Sequence, residues 1–265
     1  MEQKGIVFQS DVHEKIIKLV AEYGYITSSE VKLLISSDEN PVPDKTSLEQ
    51  KAQNILYYMS KRKIIASFQT HLSPAYAYTL TPSTKTIIIQ SGLVEFIRPF
   101  IISRYKPITF YHDTAMLKMH IIFEEILGDM LKRHLSSYRL AKQQTKKICD
   151  AEIYYTGHNP ADNKPLNKVA AMEIELTAKS KNLLLNTAKD LLLQAKNKYN
   201  SVIIIYTSTG IKQNWQNTLK QMEFFSPPYF FFIQYLDVIR NKKNCKAYDI
   251  NDNIIPLFNP EEQKC

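Results

Sequence analysis

The stretch AMEIELTAKS (residues 171–180) decides the fold of the C-terminal half of this chain, because it puts charges on an otherwise apolar strand. Residues i and i+2 of a strand share a face, so Glu173 and Glu175 point to the same side. The apolar residues between and around them point to the opposite side, which we expect to face the core. Lys179 follows at the predicted junction with the next helix. The stretch therefore combines two carboxylates and an ammonium group with a composition that predicts burial.

Asp150 brings a third carboxylate to the same region. It lies within KKICDAEIYYTG (residues 146–157), a predicted strand with Asp150 in its middle. If this strand and the strand predicted over 168–177 form a hairpin across the turn-rich loop 158–167, Asp150 comes close to Glu175. Carboxylates that converge in this way raise one another's pKa unless a cation is supplied.

The chemistry of these residue types predicts a divalent-metal site. Carboxylate oxygens are the hard ligands that suit Mg²⁺ or Mn²⁺. The ammonium group of Lys179 could orient a metal-bound water or stabilise the charge that develops on a phosphate. This combination predicts metal-dependent phosphodiester hydrolysis. The alternative is that the glutamates line the solvated face of an ordinary strand.

Hydrophobic periodicity sets these strands within an alternating α/β pattern. We predict the order helix, three strands, helix, strand, helix, strand. The predicted ranges are helix 112–135, strands 138–142, 146–157 and 168–177, helix 179–199, strand 201–210, helix 211–224 and strand 228–239.

The N-terminal third has a different pattern, of three short helices followed by a hairpin. The first helix is predicted over 11–24 and stops at Gly24. The second and third begin with Thr-x-x-Glu capping boxes, Thr27 with Glu30 and Thr46 with Glu49. Residues 64–81 alternate as strands do, around a turn at residues 73–74. This order predicts a winged helix-turn-helix over residues 1–81.

The third helix of this unit would lie in the major groove of DNA. Amides outside its apolar stripe can pair with base edges, and cations near its end can meet phosphates. The predicted DNA-binding residues are Gln50, Gln53, Asn54, Tyr57, Lys61, Arg62 and, at the tip of the wing, His71. The alternative is a winged-helix module that only packs against protein and has a solvated polar face.

The composition is compatible with this assignment. The 265 residues carry a formal net charge of +8, which favours an anionic partner. The three cysteines have neither CxxC nor zinc spacing, so we expect a reducing cytoplasm and no disulfide framework. No apolar run is long enough to cross a bilayer, and we expect no membrane insertion. Residues 82–110 are predicted to connect the N-terminal domain to a second domain over 111–265.

Taken in order along nearly the whole chain, these motifs resemble a known family. The α/β pattern looks like the PD-(D/E)XK nuclease fold, the restriction-endonuclease-like core with a mixed sheet. A winged helix followed by His112-Asp113, then CDAEI, then EIELTAKS resembles the replication-relaxation proteins and the MobC-type plasmid relaxases. The resemblance implies an endonuclease that nicks double-stranded plasmid DNA at a transfer origin with Mg²⁺ or Mn²⁺. It also implies accessory mobilisation or coupling proteins as partners.

Matched by position, the family's aspartate falls on Asp150, its paired acidic residues on Glu173 and Glu175, and its lysine on Lys179. Two positions depart from the family pattern. Cys149 stands where proline is usual, and the lysine arrives two residues later than expected, with threonine in its place. Such sites are sometimes completed by a glutamate of the first helix, here Glu124 or Glu125.

Other assignments stay open at the level of sequence. His112 and Asp113 could form a metal pair, but Asp113 is more simply a helix N-cap. The displaced lysine is also compatible with an inactive remnant of the fold, in a replication or transcription regulator that binds DNA without cutting it. A restriction or transposon-end nuclease of the same fold is a further alternative. A relaxase with a tyrosine nucleophile and a histidine-bound metal is disfavoured, because the histidines are scattered singly.

Overall fold

The computed structural model describes residues 11–36, 45–69, 76–99, 107–143, 149–158, 164–195, 198–222 and 230–255. The chain is mixed α/β and divides into two compact units, Met1–Ile121 and Ile122–Cys265. The division falls inside a long helix, Pro107–Leu127.

The first unit contains the three predicted helices and the two strands of the predicted hairpin in the predicted order, together with a short strand, β1, that was not predicted. They are α1 (Asp11–Tyr23), β1 (Ile26–Thr27), α2 (Ser28–Ser36), α3 (Lys45–Lys61), β2 (Ile65–Gln69) and β3 (Tyr76–Leu80). In this part of the described chain, three strands form an antiparallel sheet in the order β1-β3-β2. The predicted turn at residues 73–74 and the predicted wing-tip residue His71 lie outside the described residues.

Local chemistry explains where the helices of this unit begin and end. Gly24 has a φ of +89°, a left-handed conformation that ends α1. The first predicted capping box is confirmed, because the Thr27 amide donates to Glu30 Oε2 at 2.9 Å and the Thr27 hydroxyl does so at 2.5 Å. The second predicted box begins at Thr46, whose side chain lies outside the described residues.

The predicted connector contains a helix of its own, α4 (Pro82–Gln90). The Thr81 hydroxyl accepts a hydrogen bond from the Thr84 amide at 3.3 Å, and Pro82 occupies the first turn. Both features favour a helix start. The apolar residues that follow therefore form a helix, which buries Ile88.

Helix α5 (Pro107–Leu127) leads into the second unit. Its further elements are β4 (Leu131–Ser136), α6 (Ser137–Gln143), β5 (Ala151–His158), β6 (Pro165–Glu175), α7 (Lys181–Ala195), β7 (Ser201–Tyr206), α8 (Thr209–Gln221), β8 (Phe230–Gln234), α9 (Tyr235–Asn241), β9 (Ala247–Tyr248) and β10 (Ile254–Ile255). Among the described residues, seven strands form one sheet in the order β10-β9-β8-β7-β6-β5-β4. Strands β4, β5 and β6 are antiparallel neighbours, whereas β7 and β8 run parallel to β6.

Several predicted boundaries in this unit are wrong; for example, the strand predicted over 201–210 ends at Tyr206, and Thr209 already begins α8. The helix predicted over 112–135 ends at Leu127, because Gly128 takes a positive φ of 48° and breaks it. The following segment pairs with β5 as strand β4, so the strand predicted over 138–142 is instead helix α6. The last predicted strand ends at Gln234 and continues as α9.

Helices α7 and α8 cover one face of this sheet. Their apolar residues pack with Ala171, Val202, Ile204 and Phe232 in one buried cluster, to which α7 contributes Leu184 and Leu191 and α8 contributes Trp215 and Leu219. Strand β7 is buried along its whole length, as expected for a central parallel strand. The face of β6 that carries Ala171 also carries the two glutamates, because odd-numbered residues of that strand share a side.

Candidate active site

Strand pairing brings Asp150 to the end of β6. Ala151 pairs with Met172, and the Asp150 amide donates to the Met172 carbonyl at 2.9 Å. The Asp150 side chain accepts a hydrogen bond from the Ile174 amide at 2.9 Å. Asp150 therefore lies immediately before β5, not in the middle of a strand as predicted. The pairing register, continued by one residue, sets it opposite Glu173.

Lys179 links the two glutamates of β6. Its Nζ lies 2.8 Å from Glu173 Oε1 and 2.5 Å from Glu175 Oε1. Lys179 can reach back because it sits in the short loop between β6 and α7, beyond the end of the strand. We call Asp150, Glu173, Glu175 and Lys179 the carboxylate–lysine cluster.

All three carboxylates of the cluster are buried. The exposed fractions are 2% for Asp150, 8% for Glu173 and 3% for Glu175. The alternative of a solvated strand face is therefore wrong, since helices cover the side on which the glutamates lie. Burial of carboxylates is unfavourable unless they are protonated, paired or bound to a cation.

Burial and charge crowding perturb the proton affinities of the cluster. Burial, with the nearby charge of Asp150, raises the pKa of Glu173 to about 7, although Lys179 opposes the shift. Burial also raises the pKa of Glu175. Burial alone would lower the pKa of Lys179, but the two glutamates outweigh it and raise that pKa. A carboxyl group that titrates near neutral pH is suited to exchange protons during catalysis.

Trp215 is a member of the site that the sequence did not predict. Its indole Nε1 donates to Glu175 Oε1 at 3.3 Å, and Lys179 Nζ lies 5.7 Å from the ring centroid. It is the single tryptophan of the chain and is 1% exposed. A buried tryptophan usually needs an acceptor for its N–H, and this requirement was the one signal in the sequence that could have linked it to a carboxylate.

The donor set of the cluster fits a hard divalent cation. Glu173 Oε2 is buried and has no hydrogen-bond partner within the described part of the chain, so it keeps an unused lone pair. In the same residues, however, no group of three or more His, Cys, Asp or Glu side chains is already arranged to hold a metal. Lys179 lies between the two glutamates, so metal binding would require its ammonium group to move away from at least one of them.

The predicted additional ligands on α5 have other surroundings. Glu125 forms an ion pair with Lys242, with 2.7 Å between Oε2 and Nζ. Glu124 is half-buried. Asp113 is not a helix N-cap as predicted, because α5 begins at Pro107 and Asp113 lies within it. Asp113 instead forms a partly buried ion pair with Arg98 at 2.6 Å.

A fourth buried carboxylate, Glu152, lies two residues from Asp150 and is not among the predicted site residues. Its Oε1 accepts hydrogen bonds from Lys198 and, at 2.7 Å, from the Tyr199 hydroxyl, while Oε2 accepts from the Tyr154 hydroxyl at 2.6 Å. Burial opposes ionisation, but these three donors together lower the pKa of Glu152. The group is therefore a satisfied structural anion that ties β5 to the segment before β7.

Helix α3 presents the predicted DNA-binding residues on the surface of the first unit. Gln50, Gln53, Asn54, Tyr57, Lys61 and Arg62 are all exposed. The first four line a groove of about 690 Å³ together with residues from α2 and β3, among them Tyr76 and Tyr78. Gln50 Nε2 donates to Asn54 Oδ1 at 3.0 Å, and the Arg62 guanidinium lies 4.8 Å from the centre of the Tyr58 ring.

Comparison of the chain with protein-family models, with curated proteins and with solved structures finds no match. Among the helices that the structure describes, none is long and apolar enough to span a membrane. The observations that bear on function are therefore the geometry of the carboxylate–lysine cluster and of the α3 surface, together with the resemblance of the sequence motifs to nucleases and plasmid relaxases.

Proposed function

We propose that this chain is a DNA-binding, metal-dependent endonuclease that nicks plasmid DNA at a transfer origin. The observation that carries the proposal is the carboxylate–lysine cluster, in which Lys179 contacts Glu173 and Glu175 beside Asp150. Burying three carboxylates with a single lysine leaves excess negative charge, which is costly for a strand that needs only to pack. A divalent cation would neutralise that excess.

The order of elements supports a nuclease core of the PD-(D/E)XK type. Helix α5, the antiparallel strands β4, β5 and β6, helix α7 and the parallel strand β7 follow in the order that the resemblance implies, interrupted by the short helix α6. Asp150 lies at the start of the second of these strands and Glu173 near the end of the third. These are the positions that the motif match assigns to the acidic residues.

Each residue of the cluster has a role in the proposed hydrolysis. Asp150, Glu173 and Glu175 would hold Mg²⁺ or Mn²⁺, which when bound lowers the pKa of water and neutralises charge on the phosphate. The unpartnered Oε2 of Glu173 would supply a ligand atom to that cation. Lys179 stabilises negative charge on the phosphate oxygens. Trp215 orients Glu175 through its indole N–H.

The first unit supplies the proposed DNA recognition. Helices α1, α2 and α3 and the antiparallel sheet support a winged helix-turn-helix, with α3 in the major groove. The exposed amides of Gln53 and Asn54 would read base edges, while Lys61 and Arg62 would contact phosphates. We expect Gln53→Ala with Asn54→Ala to reduce the preference for the target duplex without changing binding to random DNA.

The proposal is tested by a nicking assay. Its substrate is a supercoiled plasmid that carries the DNA flanking this gene. Wild type is compared with Glu173→Gln, Lys179→Met and, as a control at an exposed carboxylate of the same unit, Asp129→Asn, each with Mg²⁺, Mn²⁺ or EDTA. We expect open circles only with metal, and only from wild type and the control. Nicking that survives in both cluster variants would show that the cluster is not the active site.

A second candidate is a DNA-binding regulator that does not cut. It is favoured by the ion pairs of Lys179, which satisfy one oxygen of each glutamate without any metal. It predicts that wild type binds the same plasmid DNA but never nicks it. It also predicts that the cluster variants bind as tightly as wild type does.

A further inference from the structure

Four side chains of α3 form one continuous surface. Gln50, Gln53, Asn54 and Tyr57 lie three or four residues from one another, which sets them side by side on a helix. All four are exposed, and Tyr57 is exposed over 67% of its surface. We call these four residues the amide face of α3. Their exposure makes them the part of the helix that a ligand can reach.

The amide face is uncharged. The groove of about 690 Å³ that it lines contains neither lysine nor arginine among the described residues of its lining. Glu49 is a charged group in that lining, and it forms an ion pair with Lys32 at 3.3 Å. Lys61 lies one turn beyond Tyr57, at the last residue of the helix and outside the groove lining. The segment that faces the groove therefore presents amides and an aromatic ring.

The amide group matches adenine in the major groove of DNA. Adenine presents an acceptor, N7, beside a donor, the N6 amino group, and the side-chain amide of Asn or Gln presents one donor beside one acceptor. Guanine presents two acceptors, N7 and O6, and is read by arginine or lysine. An amide set against guanine would leave one acceptor without a partner. Apolar groups contact the methyl of thymine, so an aromatic ring beside the amides adds to the preference for A·T pairs.

A hydrogen bond within the amide face sets the orientation of Asn54. Gln50 Nε2 donates to Asn54 Oδ1 at 3.0 Å, and this oxygen keeps a second lone pair. Asn54 can therefore donate from Nδ2 to N7 of an adenine and accept from its N6 without turning. Gln50 acts through Asn54 and is a positioning residue. Gln53 Nε2 lies 3.5 Å from Glu49 Oε1, at the outer limit of hydrogen bonding, so the Gln53 amide is held more loosely.

The opposite wall of the groove offers hydroxyl groups. Tyr76 and Tyr78 are alternate residues of β3 and therefore point to the same side of the sheet. Both line the groove, as does Ser28 at the start of α2. Hydroxyl groups contact phosphate and sugar, which positions a protein on the duplex without reading its sequence. The groove therefore combines base-reading groups on α3 with groups on β3 that suit the DNA backbone.

We propose that α3 selects A·T base pairs, with Asn54 and Gln53 each recognising one adenine and Tyr57 contacting the methyl of a thymine. Gln53 and Asn54 are consecutive, so the two adenines would lie in neighbouring base pairs. This inference rests on the proposed function, because it requires α3 to enter the major groove of duplex DNA. It depends neither on the metal nor on cutting.

The test begins with selection of duplexes from a randomised pool by the full chain in EDTA, where metal-dependent cutting does not occur. The selection is repeated with Gln53→Ala, with Asn54→Ala and with the control Gln90→Ala, which removes an exposed amide from α4 of the same unit. We expect wild type and the control to enrich the same two neighbouring A·T pairs. Each α3 variant should lose the preference at one of these pairs and keep it at the other.

Base analogues then test the individual contacts in the selected duplex, with binding followed by fluorescence anisotropy. 7-Deazaadenine lacks N7 but still pairs with thymine, so at either adenine it should weaken wild-type binding by roughly 3–10-fold, the value of one hydrogen bond. It should have no effect on Asn54→Ala at the adenine that Asn54 reads. Gln50→Ala should reduce discrimination at that adenine and not at its neighbour. Replacing thymine by uracil removes the methyl and should weaken binding of wild type but not of Tyr57→Ala.

A change of specificity provides a positive test. Arginine donates two hydrogen bonds to guanine. Asn54→Arg should therefore change the preferred base pair at one position from A·T to G·C and leave the other position unchanged. A side chain that acted only in folding would not redirect the choice of base.

Selection of G·C pairs by wild type would overturn the inference, even if wild type nicks plasmid DNA. So would duplex binding without any sequence preference, or a preference that is unchanged in both Gln53→Ala and Asn54→Ala. Selection of A·T pairs by a protein that never nicks would keep the readout and reject the nuclease. A chain that binds no duplex would reject this inference together with the DNA-binding part of the proposed function.

Discussion

Replacing Glu173 by glutamine should stabilise the protein and remove its activity together. The change keeps the size of the side chain and mimics its protonated form, but it removes a buried negative charge beside Asp150 and Glu175. Active sites often hold groups that weaken the fold, so their removal exchanges function for stability. The raised pKa of Glu173 gives the size of the expected gain in stability.

Glu173 has a pKa of about 7 in the folded protein, against 4.5 for an unperturbed glutamate. Between these two pH values the folded state binds more protons than the unfolded state, so the free energy of unfolding falls as the pH rises. One pKa unit corresponds to 1.36 kcal/mol, and the loss is therefore about 3 kcal/mol by pH 7. Glutamine does not ionise, so the variant should be more stable than wild type by about 3 kcal/mol at pH 7 and by little at pH 4.5.

The assay is urea unfolding in EDTA at several pH values, followed by tryptophan fluorescence. Trp215 is the single tryptophan and is buried beside the cluster, so its signal reports the second unit. Comparing wild type with Glu173→Gln at each pH isolates Glu173 from the other acids. In thermal unfolding the same difference corresponds to roughly 6–12 °C at pH 7.

The control is Glu124→Gln, the same chemical change at a half-buried site on α5, which we expect to alter stability by less than about 0.5 kcal/mol. A wild-type stability that does not fall relative to Glu173→Gln between pH 4.5 and 7 would refute the reasoning. So would a Glu173→Gln variant less stable than wild type at pH 7, because Glu173 would then be stabilised as an anion.

Three further results are expected. Lys179→Met leaves the buried carboxylates without a cation and should cost about 3–5 kcal/mol at pH 8; a cost as large at pH 5, where Glu173 is protonated, would contradict this. Saturating Mn²⁺ at about 100 times its Kd should raise the free energy of unfolding of wild type by about 3 kcal/mol but not that of Asp150→Ala, and equal effects would place the metal elsewhere. Tyr199→Phe removes a donor to Glu152 and should cost about 1.5–3 kcal/mol in urea unfolding, whereas no loss would mean that water replaces the hydroxyl.

Most helices and strands could be predicted from the sequence, because their signals are local. The Thr27–Glu30 capping box spans four residues, and Gly24 ends α1 directly. The predictions failed where local signals conflicted. Gly128 lies within an apolar pattern that continues beyond it, so the helix was predicted too long and strand β4 was displaced.

The carboxylate–lysine cluster was predictable in its members but not in its surroundings. Alternation along β6 sets Glu173 and Glu175 on one side, and a hairpin brings Asp150 near them. Whether that side faces water or helices is decided by α7 and α8, which come later in the chain. The sequence alone therefore left a solvated face as an open alternative, which burial of all three carboxylates now excludes.

The sequence by itself determined the α/β class, most element positions and the residue types that could act together, since these follow from neighbours within a few positions. Only the tertiary structure decided which distant groups meet. Trp215 reaches Glu175 across 40 residues, and Lys198 reaches Glu152 across 46. Such contacts depend on the parallel crossover from β6 to β7 and on the packing of α8 over it. Packing against the sheet, rather than any local preference, sets the electrostatic environment of the site.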